Sequence, residues 1–198
     1  MKLNWGERLA VNNPLRVVQQ GFEVLWFKHR ARLPEGSRLL EIGCGRGAGA
    51  QILLREFHPR ELHATDLDVE MLRRAEGYMA PAARARVTLT VADALRLPHR
   101  PASFDAVFGF GVLHHIPDWR EALREVARVL RPSGVYCLEE LYPSLYQNAV
   151  TKHFLLHPTE DRFGGDDLRA ELPRAGFRLL DQVEVPLAGL LAVCERRG

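Results

Sequence analysis

Three acids, Glu41, Asp66 and Asp93, each close a short apolar run, and the first leads into Gly43-Cys44-Gly45-Arg46-Gly47. Glycine at alternate positions lets the backbone take positive φ and lets a ligand come close to the main chain. The acid decides which ligand gains. A pyrophosphate wants bare N–H groups at a helix N-terminus and gains nothing from a carboxylate beside them, whereas an ammonium group does gain. A carboxylate at the position of Asp66 can accept hydrogen bonds from ribose hydroxyls. One at Asp93 can accept from an adenine amino group. Either acid alone also reads as a loop or cap aspartate. Their order at three successive strand ends is the stronger signal.

Other residues offer proton or nucleophile chemistry. His114 and His115 fit either packing or general-base work. His153 and His157 are candidates for substrate contact or solvated loop residues. Cys44 fits either space-filling under the glycine loop or a thiol near a helix N-terminus with some thiolate character. Trp5 and Trp26 fit packing, or a wall for a cation.

The elements that must carry these residues alternate between apolar runs and helical patterns. Strands are expected at Arg38 to Ile42, Glu61 to Thr65, Arg86 to Ala92, Phe104 to Phe110 and Val135 to Leu141. Helices are expected at Ala48 to Phe57, from the cap Asp68 to about Met79, and at Trp119 to Leu130 after Asp118 and Glu121. Asp166 or Asp167 would cap a last helix running to about Arg174. Phe177 to Val185 and Leu190 to Glu195 follow, joined by a link short enough to favour antiparallel pairing. This repetition implies an α/β fold, with helices on both faces of a doubly wound, mostly parallel sheet of seven strands and a C-terminal antiparallel strand pair. Ligands in such sheets sit at the carboxyl ends of the strands. Glu41, Gly43, Asp66, Asp93 and Phe110 should therefore meet in one crevice. Residues 1–35 form an expected N-terminal helical lid, and residues 36–198 the main domain. The aromatic and His-rich stretch 142–165 is a second candidate cover.

The chain resembles the class I S-adenosylmethionine-dependent methyltransferases over about residues 36–198. The matching stretches are Leu39-Leu40-Glu41-Ile42-Gly43-Cys44-Gly45-Arg46-Gly47, Ala64-Thr65-Asp66-Leu67-Asp68, Val91-Ala92-Asp93-Ala94, Phe104-Asp105-Ala106-Val107 with Val112-Leu113-His114-His115-Ile116, and Leu130-Arg131-Pro132-Ser133-Gly134-Val135. The wording is nearest the small-molecule branch that includes quinone-biosynthesis methyltransferases. The resemblance implies a Rossmann-like fold and transfer of a methyl group from S-adenosylmethionine, with S-adenosylhomocysteine as product. It implies that Glu41 and the loop Gly43, Cys44, Gly45 and Gly47 hold the methionine end. Asp66 would bind the ribose and Leu67 would pack on the adenine. Asp93 and Ala94 would read the adenine edge, and Phe110 and Gly111 would line the methionine side. His114, His115 and His153 are the candidates for a catalytic role, and no metal is implied. Histidine stands at 114 and 115 in family members with unlike substrates, which favours packing there. S-adenosylmethionine carries an ammonium, a sulfonium and no phosphate, in keeping with the acid at Glu41.

Composition narrows the rest. The chain has 198 residues, of which 46% are hydrophobic and 26% charged, as in an ordinary soluble domain with a real core. A net charge of +2 implies no polyanionic partner, so no nucleic acid is expected. The three cysteines, Cys44, Cys137 and Cys194, are far apart, which fits a reducing compartment. No apolar run approaches a membrane span and Met1 to Ala10 does not read as a signal peptide, so a cytoplasmic monomer or homodimer is expected. No Asn/Asp-Pro-Pro-Tyr run follows the fourth strand, which lowers the weight of planar nitrogen acceptors. A small organic acceptor is expected, with oxygen or carbon ahead of nitrogen. Two other readings stay open: a non-catalytic cofactor binder or regulatory subunit, and a nicotinamide-dependent oxidoreductase through the loose pattern Gly43-x-Gly45-x-x-Ala48.

Overall fold

The computed structural model describes residues 14–146 and 162–198. Trp5, His153 and His157 lie outside the described residues. In chain order the elements are α1 (Pro14–Ala31), β1 (Arg38–Ile42), α2 (Ala48–Phe57), β2 (Glu61–Asp66), α3 (Val69–Tyr78), α4 (Pro81–Arg84), β3 (Val87–Val91), β4 (Phe104–Phe110), a 3₁₀ turn (Leu113–His115), α5 (Trp119–Val129), β5 (Leu130–Leu141), α6 (Pro143–Tyr146), α7 (Gly165–Glu171), β6 (Phe177–Val185) and β7 (Gly189–Arg196).

The seven strands form one sheet in the order β3-β2-β1-β4-β5-β7-β6. β1 pairs in parallel with β2 on one side and β4 on the other, with Leu39 opposite Leu62 and Ala106. β7 enters antiparallel between β5 and β6. The strand order reverses at β1, and the crevice above that point receives the ends of β1, β2 and β4.

Alternation along the strands divides the core between two faces. Leu39, Phe108, Phe110 and Cys137 pack with Val24 and Phe27 of α1, Leu53 of α2 and Ala75 of α3. Leu40, Ile42, Val107 and Leu138 pack on the other face with Trp119, Leu123 and Val126 of α5 and Leu168 of α7. β4 is buried along its whole length, which explains its unbroken apolar reading. Phe27 is fully buried against Phe108 and Phe110, so α1 is joined to the sheet by core packing.

Local chemistry sets the helix starts. The Asp68 side chain accepts from the Glu70 N–H, and that of Asp118 from the Glu121 N–H, as their spacing predicts. Two expectations are corrected. β5 begins at Leu130, because Leu130 pairs with Phe104 before a register shift, and Ser133 takes a left-handed φ of 61° within the same strand. The last helix starts after Gly164, so neither Asp166 nor Asp167 is its cap. Asp167 lies in the first turn and accepts from the Gly164 N–H at 2.9 Å. The helix ends at Glu171 rather than near Arg174: Leu172 keeps helical backbone as its C-cap, but Pro173 has no N–H to continue the ladder.

Candidate active site

The glycine loop follows β1. Gly43 and Gly45 have φ of 64° and 53°. A Cβ on Gly43 would lie 2.5 Å from a methyl of Val112, so the loop passes too close to the segment after β4 for any side chain. Asp66, at the end of β2, pins this loop. Its Oδ2 accepts from the Gly45 N–H at 2.8 Å, and its Oδ1 from the Asp68 N–H at 2.8 Å. Each oxygen keeps a second acceptor position. Burial pushes the Asp66 carboxyl above the usual range, against the pull of these N–H groups.

Glu41 lies beneath the loop and is fully buried. It accepts from the backbone of Ala50 in the first turn of α2, and burial, with Asp66 nearby, pushes it up to about 8. Its Oε2 has no hydrogen-bond partner among the described residues. Gly49 packs directly against Glu41 Oε1, and a Cβ there would overlap that oxygen. The signal for Gly49 was available in the sequence: a glycine inside a helix pattern marks a close approach.

A cleft of about 890 Å³, partly open to solvent, collects Gly43, Gly45, Asp66, Leu67, Asp93, Ala94, Phe110 and Gly111 at the strand ends. Thr65, Ala92, Leu95, Val112, His115, Ile116 and Pro117 complete its wall. Leu67 is 39% exposed, an apolar surface placed to meet a flat ring. Asp93 is exposed, and its Oδ1 accepts from the Leu95 N–H at 2.9 Å.

Glu41, Cys44 and Gly47 are not among the residues lining the cleft. Cys44 turns into the core with its Sγ 3.8 Å from the Gly45 carbonyl, and burial pushes its thiol well up. Of the two readings of Cys44, this placement favours space-filling under the loop over thiolate character. Gly47 precedes α2 with φ 82°, and a Cβ on it would meet Met79 Sδ at 2.9 Å, so its close approach is to the protein itself. Arg46, given no role from sequence, stacks over the Tyr78 ring at 4.3 Å.

The two histidines after β4 separate. His115 lines the cleft. His114 is buried, with Nδ1 2.8 Å from Glu140 Oε2. The same carboxylate accepts from the backbone N–H groups of Val112, Leu113 and His114 at 3.1, 2.8 and 3.2 Å, capping the 3₁₀ turn. Sequence reasoning missed Glu140, because its partners lie 26 to 28 positions away. Trp26 packs edge-on to Phe27 and takes Arg30 over its ring at 4.7 Å. No group of three or more His, Cys, Asp or Glu side chains able to hold a metal occurs among the described residues. No helix among them is long and apolar enough to cross a membrane.

Comparison with known proteins bears on the family and the fold. Residues 40–138 match the family described as a methyltransferase domain. An O-methyltransferase, rstn1, from Aspergillus nomiae is 29% identical over 156 residues, covering 76% of this chain and 68% of its own length. The 27-O-demethylrifamycin SV methyltransferase of Amycolatopsis mediterranei is 39% identical over 118 residues, covering 57% of this chain and 42% of its own. This chain thus spans about two thirds of the first relative and less than half of the second. A methyltransferase structure from Aquifex aeolicus shares the fold with a TM-score of 0.79 at 17% identity, over 98% of this chain and 100% of that one.

Proposed function

The chain belongs to the methyltransferase domain family, and on that premise we propose that its cleft holds S-adenosylmethionine and serves O-methylation of a small organic molecule. One observation carries the choice of ligand. The Gly45 N–H that a pyrophosphate would need is taken by the Asp66 carboxylate, and a second, buried carboxylate with a spare oxygen lies beneath the loop. The Asp66 carboxylate beside the glycines disfavours a dinucleotide, and the buried Glu41 carboxyl, which ionises more readily when a cation comes near, suits a cationic sulfonium ligand. The nicotinamide reading therefore loses its physical basis.

In this reading Asp66 takes the ribose hydroxyls through its remaining acceptor positions. Leu67, Val112 and Ile116 sandwich the adenine, and Asp93 with Ala94 meets its polar edge. Gly43, Gly45, Phe110 and Gly111 border the methionine side. Glu41, Cys44 and Gly47 act on the loop from below, Glu41 through its hydrogen bond to the start of α2 and the other two through packing. When bound, S-adenosylmethionine supplies an activated methyl group. The protein's task is then to align an acceptor and exclude water. The names of the relatives support oxygen as the acceptor atom. α1, as part of the 1–35 segment, would wall the acceptor side.

The test is calorimetric titration with S-adenosylhomocysteine, with NADH in parallel. Wild type should bind only the former. Asp66→Ala should lose about one to two orders of magnitude in affinity, as expected for charge-assisted hydrogen bonds. Unchanged affinity in the folded variant would remove Asp66 from the site, and binding of NADH alone would overturn the reading.

A further inference from the structure

The end of β5 carries two consecutive acids that the strand turns to opposite faces. Glu140 is fully engaged with the turn after β4. Glu139 is not. Its Oε2 accepts from Arg16 Nη2 at 2.6 Å, while its buried Oε1 has no hydrogen-bond partner among the described residues. Arg16 reaches from α1 and also donates to Glu23 Oε1 at 2.9 Å, and Glu23 Oε2 is likewise left over. Two buried carboxylates thus share one guanidinium.

Gly111 joins this cluster to the cleft. It lines the cleft between Phe110 and Val112. A Cβ on Gly111 would lie 3.2 Å from Glu139 Oε2, 3.3 Å from His114 Cε1 and 3.8 Å from Arg16 Nη2. Gly111 thus lines the cleft while the ion pair packs against its Cα, where a side chain would crowd it. The pair offers a carboxylate acceptor beside guanidinium N–H donors, the complement of a hydroxyl that has a second oxygen next to it.

We propose that Arg16 and Glu139, reached past Gly111, form the acceptor subsite, and that Glu139 takes the proton of an acceptor hydroxyl flanked by a second oxygen. This rests on the cleft being the methyl-donor site. The hydroxyl oxygen bonds to the methyl carbon as the methyl–sulfur bond breaks. The electron pair of that bond returns to sulfur, converting the sulfonium to a neutral thioether, and the hydroxyl proton passes to the Glu139 carboxylate. Arg16 orients the neighbouring oxygen. Burial pushes Glu139 up to about 8 despite Arg16, so its ionised form is a better base than an ordinary carboxylate. His114, whose Nδ1 is held by Glu140 Oε2, takes no part in this transfer.

Catechol is the probe. Wild type, Glu139→Gln and Glu139→Asp are titrated with S-adenosylhomocysteine. Catechol binding to each complex is then followed by ligand-observed NMR, and methyl transfer to catechol with labelled S-adenosylmethionine. S-adenosylhomocysteine should bind all three alike, within about threefold, since Glu139 does not line the cleft. The wild-type complex should bind catechol, and Glu139→Gln should weaken it about tenfold. Methyl transfer should fall about 100-fold or more in Glu139→Gln, mostly in kcat, with partial recovery in Glu139→Asp. A wild-type complex that binds no catechol overturns the proposal, as does Glu139→Gln methylating it at the wild-type rate. If Glu139→Gln does not fold, Glu139→Asp stands in, and an unchanged rate in that variant overturns the proposal. Failure of wild type to bind S-adenosylhomocysteine instead overturns the methyl-donor reading.

Discussion

Glu125 on α5 and Glu139 on β5 each face an arginine, yet their carboxyls titrate in opposite directions. Glu125 accepts from Arg128 Nε and Nη2 at 2.7 and 2.8 Å and from the Leu97 N–H at 2.7 Å, and these bonds hold it below the usual range. Arg128 also donates to the carbonyls of His99 and Leu97, tying α5 to the β3–β4 loop. Glu139 has one arginine, one empty oxygen and almost no exposure. The first pair is closed and serves the architecture. The second keeps unmet acceptor capacity beside a cleft, as expected of groups arranged to meet a ligand.

The largest expected effect separates the two arginines. Arg16→Met strips the counter-charge from two buried carboxylates and should cost about 3–5 kcal/mol at alkaline pH, shrinking as the pH falls and the carboxylates take protons. Arg128→Met should cost about 1–2 kcal/mol, because Glu125 keeps its bond from the Leu97 N–H when the arginine is lost. Urea denaturation across a pH series checks this, and equal losses in the two variants would break the distinction.

The next effect is the pH dependence of wild type. A carboxyl raised to about 8 in the native state binds its proton more tightly folded than unfolded, so Glu41 and Glu139 lower stability as pH climbs from the ordinary glutamate range to about 8. Glu139→Gln should flatten that decline. Glu125 has the opposite sign: its native value is depressed, and its stabilisation is lost as pH falls through it. A decline that Glu139→Gln leaves untouched would place the titration elsewhere.

His63 and His99 should have a smaller effect. Their rings meet edge-on at 5.2 Å beside Phe104, and burial pushes both below the usual histidine range. The unfolded chain then takes protons first, so stability should fall below about pH 6.5, and His99→Phe should remove less than about 1 kcal/mol of that loss. Smallest is Arg30→Ala. Its bond to Asp181 joins two well-exposed side chains and should be worth at most about 0.5 kcal/mol by thermal melting.

The same division governs what could be read in advance. The glycine loop, Asp66 and the caps Asp68 and Asp118 are legible because their partners lie within a short stretch or at successive strand ends. The ranges of β1, α2 and β4 match the periodicity residue for residue. The starts of β5 and α7 were misplaced where a left-handed serine and a glycine cap overrode the pattern. Arg16 is 123 positions from Glu139, and no local spacing announces that pair.

The chain by itself determined the alternating elements, the parallel sheet and the set of strand-end acids, since period and capping are local properties of consecutive residues. Only the tertiary structure decided where β7 inserts, that Glu41 and Cys44 lie beneath the loop instead of in the cleft, and that Glu139 is left half-paired behind Gly111. Those outcomes depend on burial and on which distant side chains meet, and both are set when the helices close over the two faces of the sheet.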